Sequence, residues 1–179
     1  MSTTEQTVTT LPTGLYSADP VHSSVAFEVR YMGIGTFGGT VSDFGAALEN
    51  GRLAGSARIE TLEVKDENLY AHLMSPEFFD AGHHPEVAFS TERASVEDSD
   101  VELEGEITIK GITRPATLKG TIVGPTADPY GNERYGLKLE TTIDRTQFGI
   151  TWNADMPNGT KALDDEVTLR ADLSLVKAA

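Results

Sequence analysis

Residues 101–122 read VELEGEITIKGITRPATLKGTI. Val101, Leu103, Gly105, Ile107 and Ile109 alternate with Glu102, Glu104, Glu106 and Thr108, so an extended chain has one apolar face and one solvated face. Gly111 closes this run. Ala116, Leu118, Gly120 and Ile122 then resume the alternation against Thr117, Lys119 and Thr121. Two long strands joined by so short a connection pair antiparallel, because a parallel crossover needs a longer link.

The same period extends in both directions. Upstream, Val87, Phe89, Thr91 and Arg93 alternate, and Leu53 to Leu62 and Val41 to Leu48 read as strands. Asn50-Gly51 between the last two is a strong hairpin signal, since a type I′ turn needs positive φ at both central positions. Val25, Phe27, Val29 and Tyr31 form one face of an earlier strand, and Gly33, Gly35, Gly38 and Gly39 mark a turn and then a bend. Downstream, Leu137, Leu139, Thr141 and Ile143 make a strand after the polar loop of residues 124–135. An irregular stretch from Arg145 to Lys161 follows, and Val167, Leu169, Ala171, Leu173 and Leu175 end the chain. The pattern predicts an all-β fold of about eight or nine antiparallel strands, as a closed barrel or a two-sheet sandwich, one domain over residues 14–179 behind a loose, Thr-rich arm over residues 1–13.

One stretch breaks the period. Asn68 to Pro85 reads NLYAHLMSPEFFDAGHHP. Leu69, Leu73 and Met74 recur at helical spacing, and Ser75-Pro76-Glu77 reads as a helix start, an N-cap with proline at the first helical position. Phe78 and Phe79 add two large rings, so the insertion reads as a short helical plug for one end of the barrel. An eight-stranded barrel is either filled by its side chains or holds one small ligand. The apolar faces here carry Gly55, Ala57, Gly105, Ala116, Gly120 and Ala171. Small residues inside favour a cavity; the competing reading places them at bends or against the helix.

Composition narrows the function classes. The 179 residues carry a formal net charge of −14, which repels nucleic-acid phosphates and anionic lipid headgroups. Cysteine is absent, which removes disulfides, thiolate metal sites and thiol nucleophiles. No run is long and apolar enough for a membrane span, and the first residues show no secretory signal, so a cytoplasmic location is expected. His22, His72, His83 and His84 lack the spacing of a helical metal pair and read as structural. There is no Gly-x-Ser-x-Gly nucleophile motif, phosphate loop or dinucleotide fingerprint. Arg145, after an apolar strand and before Phe148-Gly149-Ile150, sits where a guanidinium could fix the barrel rim, hold a polar headgroup, or make a surface ion pair.

Taken together, these stretches resemble the YceI-like family of lipid-binding proteins. Asp19-Pro20-Val21-His22-Ser23 matches the family's opening motif. His72-Leu73, Phe78-Phe79-Asp80, Pro85 and Phe89 match its helical motif. Residues 105–115, GEITIKGITRP, match a third segment, and Arg145 with Phe148, Gly149 and Ile150 a fourth. Where the family usually has Arg-Asp before x-His-Leu, this chain has Leu69-Tyr70. The resemblance implies a lipocalin-like barrel with an apolar channel for a long isoprenoid chain, such as an isoprenoid quinone, without any further cofactor; homodimers also occur in the family.

On that basis the expected function is binding or carriage of an isoprenoid-type lipid, not catalysis. The expected lining is Phe27, Val29, Tyr31, Phe78, Phe79, Phe89, Ile107, Ile143, Phe148 and Trp152, with His22, His72 and Arg145 as polar groups near the mouth. Each apolar residue has ordinary core packing as its alternative. Two other readings stay open: a histidine- or metal-dependent enzyme for a hydrophobic substrate, and a filled-core, stress-related structural protein.

Overall fold

The alternating faces close on themselves. In the computed structural model, which describes residues 8–178, all strands belong to one antiparallel sheet. They are β1 (Leu15–Ala18), β2 (Ser24–Tyr31), β3 (Gly35–Val41), β4 (Phe44–Glu49), β5 (Arg52–Arg58), β6 (Leu62–Glu63), β7 (Glu86–Glu97), β8 (Asp100–Ile109), β9 (Ile112–Ala127), β10 (Glu133–Asp144) and β11 (Leu163–Lys177). The ladder runs β1-β4-β5-β7-β8-β9-β10-β11, and β11 pairs back onto β1, closing eight staves. Three staves are broken in two: β1 with β2, β3 with β4, and β5 with β6, so that β2, β3 and β6 extend the wall beside β11. The β11–β1 pairing closes the ladder, while Gly35–Gly39 of β3 pair only with β2.

The breaks have local causes. Between β1 and β2, the Asp19 carboxylate accepts from the Val21 amide at 3.0 Å, from His22 Nδ1 at 2.7 Å and from Arg134 Nη1 at 3.0 Å. Ser23 Oγ then accepts from the Ser174 amide on β11 at 2.9 Å. The Asp-Pro-x-His-Ser motif is thus a clip holding a kinked stave against its neighbour. The Asn50-Gly51 turn has positive φ at both positions, 51° and 77°, as the type I′ reading requires.

Helix α1 spans Glu67–Met74. It starts earlier than its Ser-Pro signal suggests. Asp66 is the N-cap, accepting from the amides of Asn68 and Leu69 at 2.8 and 2.9 Å. Ser75 ends the helix: it is extended, and its hydroxyl donates to the His72 carbonyl at 2.6 Å. The residue before a proline avoids the helical region, so Ser75-Pro76 stops this helix. Leu73 is buried, Leu69 and Met74 pack on the core, and the chain then turns back to deliver Phe78 and Phe79. Of the predicted arm, residues 1–7 lie outside the described residues. Val8 is buried against the β7–β8 turn, donating to Ser99 Oγ at 2.9 Å.

The two ends of the barrel differ. α1, the β2–β3 and β8–β9 turns and the 145–162 connection share one end. The opposite end, toward the Asn50-Gly51 and Asp98-Ser99 turns, is solid: Tyr16, Leu48, Leu103, Ile122, Leu137 and Leu175 are fully buried there.

Candidate functional site

Above the solid end the staves no longer meet. A cavity of about 130 Å³ lies at mid-barrel, with Leu53, Leu118, Leu139 and Leu173 in its wall and Phe89 and Ile107 beside them. It exists because the inward positions of β4 and β5 are small: Ala46, Gly55 and Ala57. Ala171 on β11 adds to the space. Two other small residues have a different cause. A Cβ at Gly105 would collide with the Ser90 carbonyl, and one at Gly120 with the Lys138 carbonyl. Those glycines permit close strand approach and do not open the bore.

A second apolar cavity, of about 60 Å³, lies toward the α1 end. Phe27 and Val29 of β2, Phe37 of β3, Leu73 of α1, and Phe78 and Phe79 of the following turns surround it, with Ile143 and Arg145 on the other side. The Phe27 ring meets those of Phe37 and Phe79 edge-on, at 6.2 and 6.5 Å. Leu169 of β11 lines both cavities and is the partition between them. The two lie in line as an apolar bore interrupted at Leu169, from mid-barrel to the paired phenylalanines.

Of the residues expected at the site, Phe89 and Ile107 line the first cavity, and Phe27, Val29, Phe78, Phe79, Ile143 and Arg145 the second. Tyr31, Phe148, Trp152, His22 and His72 line neither. Tyr31 packs edge-on against Phe37 at 6.1 Å. Phe148 is buried in the turn after β10. Trp152 and His72 make an outer aromatic latch, with His72 at 4.7 Å from both Phe78 and Trp152 and its Nε2 at 2.5 Å from Glu77 Oε2. His22 belongs to the β1–β2 clip, and His83 Nδ1 is 3.0 Å from Asp80. The hydrogen bond to Asp80 raises the His83 pKa. Among the described residues no three His, Asp or Glu side chains gather as a metal cage.

Arg145 is a buried staple. Its Nε donates to the Asp164 carbonyl at 2.9 Å, and Nη1 to the carbonyls of Ile150 and Trp152, both at 2.8 Å. It thereby ties the end of β10, the 145–162 connection and the start of β11 together. Nη2 is buried with no hydrogen-bond partner, and the nearest carboxylate oxygen, Asp165 Oδ1, is 3.7 Å away. Burial pulls the guanidinium pKa down, opposed by the charges of Asp165, Asp144 and Asp164.

The sequence reading missed Leu169, Phe37, Phe44 and Ala46. Leu169 was legible as an inward strand position, but its place opposite the gap between two cavities was not.

The YceI-like domain family model matches residues 16–175. A "UPF0312 protein" of Pseudomonas putida is 29% identical over 137 residues, covering 72% of this chain and 71% of the relative. "Protein YceI" of Escherichia coli is 26% identical over 136 residues, covering 72% and 71%. Among solved structures, BcnA of Burkholderia cenocepacia superposes with a TM-score of 0.70 at 18% identity, covering 90% of this chain and 99% of that one. A polyisoprenoid-binding domain from Saccharophagus degradans, implicated in plant cell wall breakdown, gives 0.69 at 8% identity, covering 91% and 98%. At these identities the structural likeness speaks to the fold.

Proposed function

The chain belongs to the YceI-like family, and on that premise we propose that it is a binding protein for an isoprenoid-type lipid, such as an isoprenoid quinone, whose tail lies in the bore. The observation that carries this reading is the bore: two stacked cavities walled by aliphatic and aromatic side chains, with Leu169 between them. Each tail CH₂ moved from water into such a space contributes about 0.8 kcal/mol, so a few isoprene units suffice for tight binding without ion pairing. The polyisoprenoid-binding neighbour supports the same ligand class.

The bore sets a condition on that ligand. Pockets for drug-sized molecules span about 300–1,000 Å³, more than either cavity offers with Leu169 between them. A tail longer than a few isoprene units therefore has to rotate Leu169 aside.

Native mass spectrometry with organic extraction of the purified protein tests the reading, followed by titration with a long-chain isoprenoid quinone. The expected result is stoichiometric lipid, or stoichiometric uptake of added quinone. Lipid-free protein that also ignores added quinone would overturn it. Among the described residues, three of the four histidines each sit beside their own carboxylate: His22 by Asp19, His72 by Glu77 and His83 by Asp80.

A further inference from the structure

We propose that the ligand enters sideways, through an unzipped seam between β9 and β10, and that its polar head, an uncharged one, stays in that seam. This rests on the reading of the bore as a lipid site. One end of the barrel is packed with fully buried side chains, and α1 and the paired phenylalanines lie over the other. The wall itself is interrupted. The β9–β10 ladder runs from Glu133↔Ala127 to Glu140↔Lys119 and stops. Beyond it, Ile112–Leu118 pairs only with β8, and Thr141–Asp144 pairs only with β11.

Two contacts bound the resulting window: Thr141 Oγ1 donates to the Thr117 carbonyl at 2.8 Å, and Arg114 Nε to the Gln147 carbonyl at 3.2 Å. Between them lies an outer groove of about 720 Å³. Its floor backs onto the interior cavities. Thr141 lines both this groove and the mid-barrel cavity, and Ile143 lines both the groove and the cavity beside Phe79. The thickness of one side chain thus separates each inner cavity from the window. Opening it breaks two side-chain hydrogen bonds and no ladder pair.

The rim chemistry points to the class of head. Thr142 and Gln147 offer neutral donors and acceptors, and the carboxylates of Asp144, Asp165 and Glu166 outnumber the single guanidinium of Arg114. A phosphorylated head meets net repulsion there, on a chain already at −14. A hydroxyl, amide or quinone head does not.

The test uses the absence of native cysteine. Thr117→Cys/Thr142→Cys places two exposed thiols across the window, and a short bismaleimide tethers them. Lys138→Cys/Thr121→Cys, a true ladder pair of the same two strands, is the control. Uptake and release of a decyl-chain benzoquinone are followed by stopped-flow quenching of Trp152, and geranylgeraniol is compared with geranylgeranyl diphosphate by calorimetry. Expected are on- and off-rates both slowed about tenfold by the window tether and not by the ladder-pair tether. The alcohol is expected to bind about tenfold more tightly than the diphosphate, a gap that narrows in Asp165→Asn/Glu166→Gln. Unchanged rates in the tethered protein would overturn the proposal and move the entrance to the α1 end. Equal affinity for the two heads would overturn the head assignment. Untethered protein that binds neither the quinone nor the alcohol would instead remove the lipid reading, and the portal with it.

Discussion

Leu169 separates the two halves of the bore, and its truncation separates packing from ligand capacity. Leu169→Ala merges the cavities. It costs about 2 kcal/mol, the low end for a core leucine, because the side chain is only half-buried and already faces empty space on both sides. In return it should favour long isoprenoid tails over short ones, while Leu169→Trp should abolish binding of long tails and spare the fold. Urea unfolding and a chain-length series of quinones check both arms. Arg145 makes the opposite kind of contribution. Arg145→Met leaves three carbonyls without their donor, at about 1 kcal/mol each, so a loss of about 3 kcal/mol is expected. Arg145→Lys should not rescue it, because an ammonium cannot reproduce the fork that reaches Asp164, Ile150 and Trp152.

At the scale of elements, the broken staves and the plug are held by polar contacts that alternation does not encode. His22 and Arg134 hold the Asp19 carboxyl well below the usual carboxylate range, and Arg134 with the Asn132 amide holds Asp128 at about 2. A carboxyl whose folded pKa is depressed stabilises the fold above its ordinary value of about 4, and that contribution fades as pH falls through the folded value. The urea midpoint should therefore fall steeply between about pH 4 and pH 2, and Arg134→Met should flatten that dependence. For α1, Asp66→Ala removes the acceptor for two amides and should cost about 1 kcal/mol. Ser75→Ala should cost less, since Ser75 lies past the last turn. The sequence announced a helix here but misplaced it. Serine before proline fits a helix start as well as a stop, and only the amides on Asp66 tell the two apart.

For the molecule as a whole, an apolar interior inside an acidic shell makes a testable contrast. Binding driven by burial of a neutral tail should change less than about twofold between roughly 0.05 and 0.5 M salt, because screening acts on ion pairs and a neutral tail forms none. The single tryptophan gives the readout. Its ring centroid lies 5.5 Å from that of Phe78 in the wall of the second cavity, so a bound quinone should quench it. Quenching with the affinity seen by calorimetry, unchanged by salt, is the expected result.

The period of two in residues 101–122 and its echoes along the chain were enough for antiparallel staves, their approximate number and a plug carrying Phe78 and Phe79. These follow from local geometry, because alternation fixes which side chains share a face. Which small residues open a void was not local. Gly55 and Ala46 face each other across the ladder and both line the void, whereas at Gly105 and Gly120 a neighbouring backbone carbonyl already occupies the Cβ position. The partition at Leu169 and the seam beside Thr141 arise from register and curvature between strands distant in sequence, and only the closed barrel brings those surfaces together.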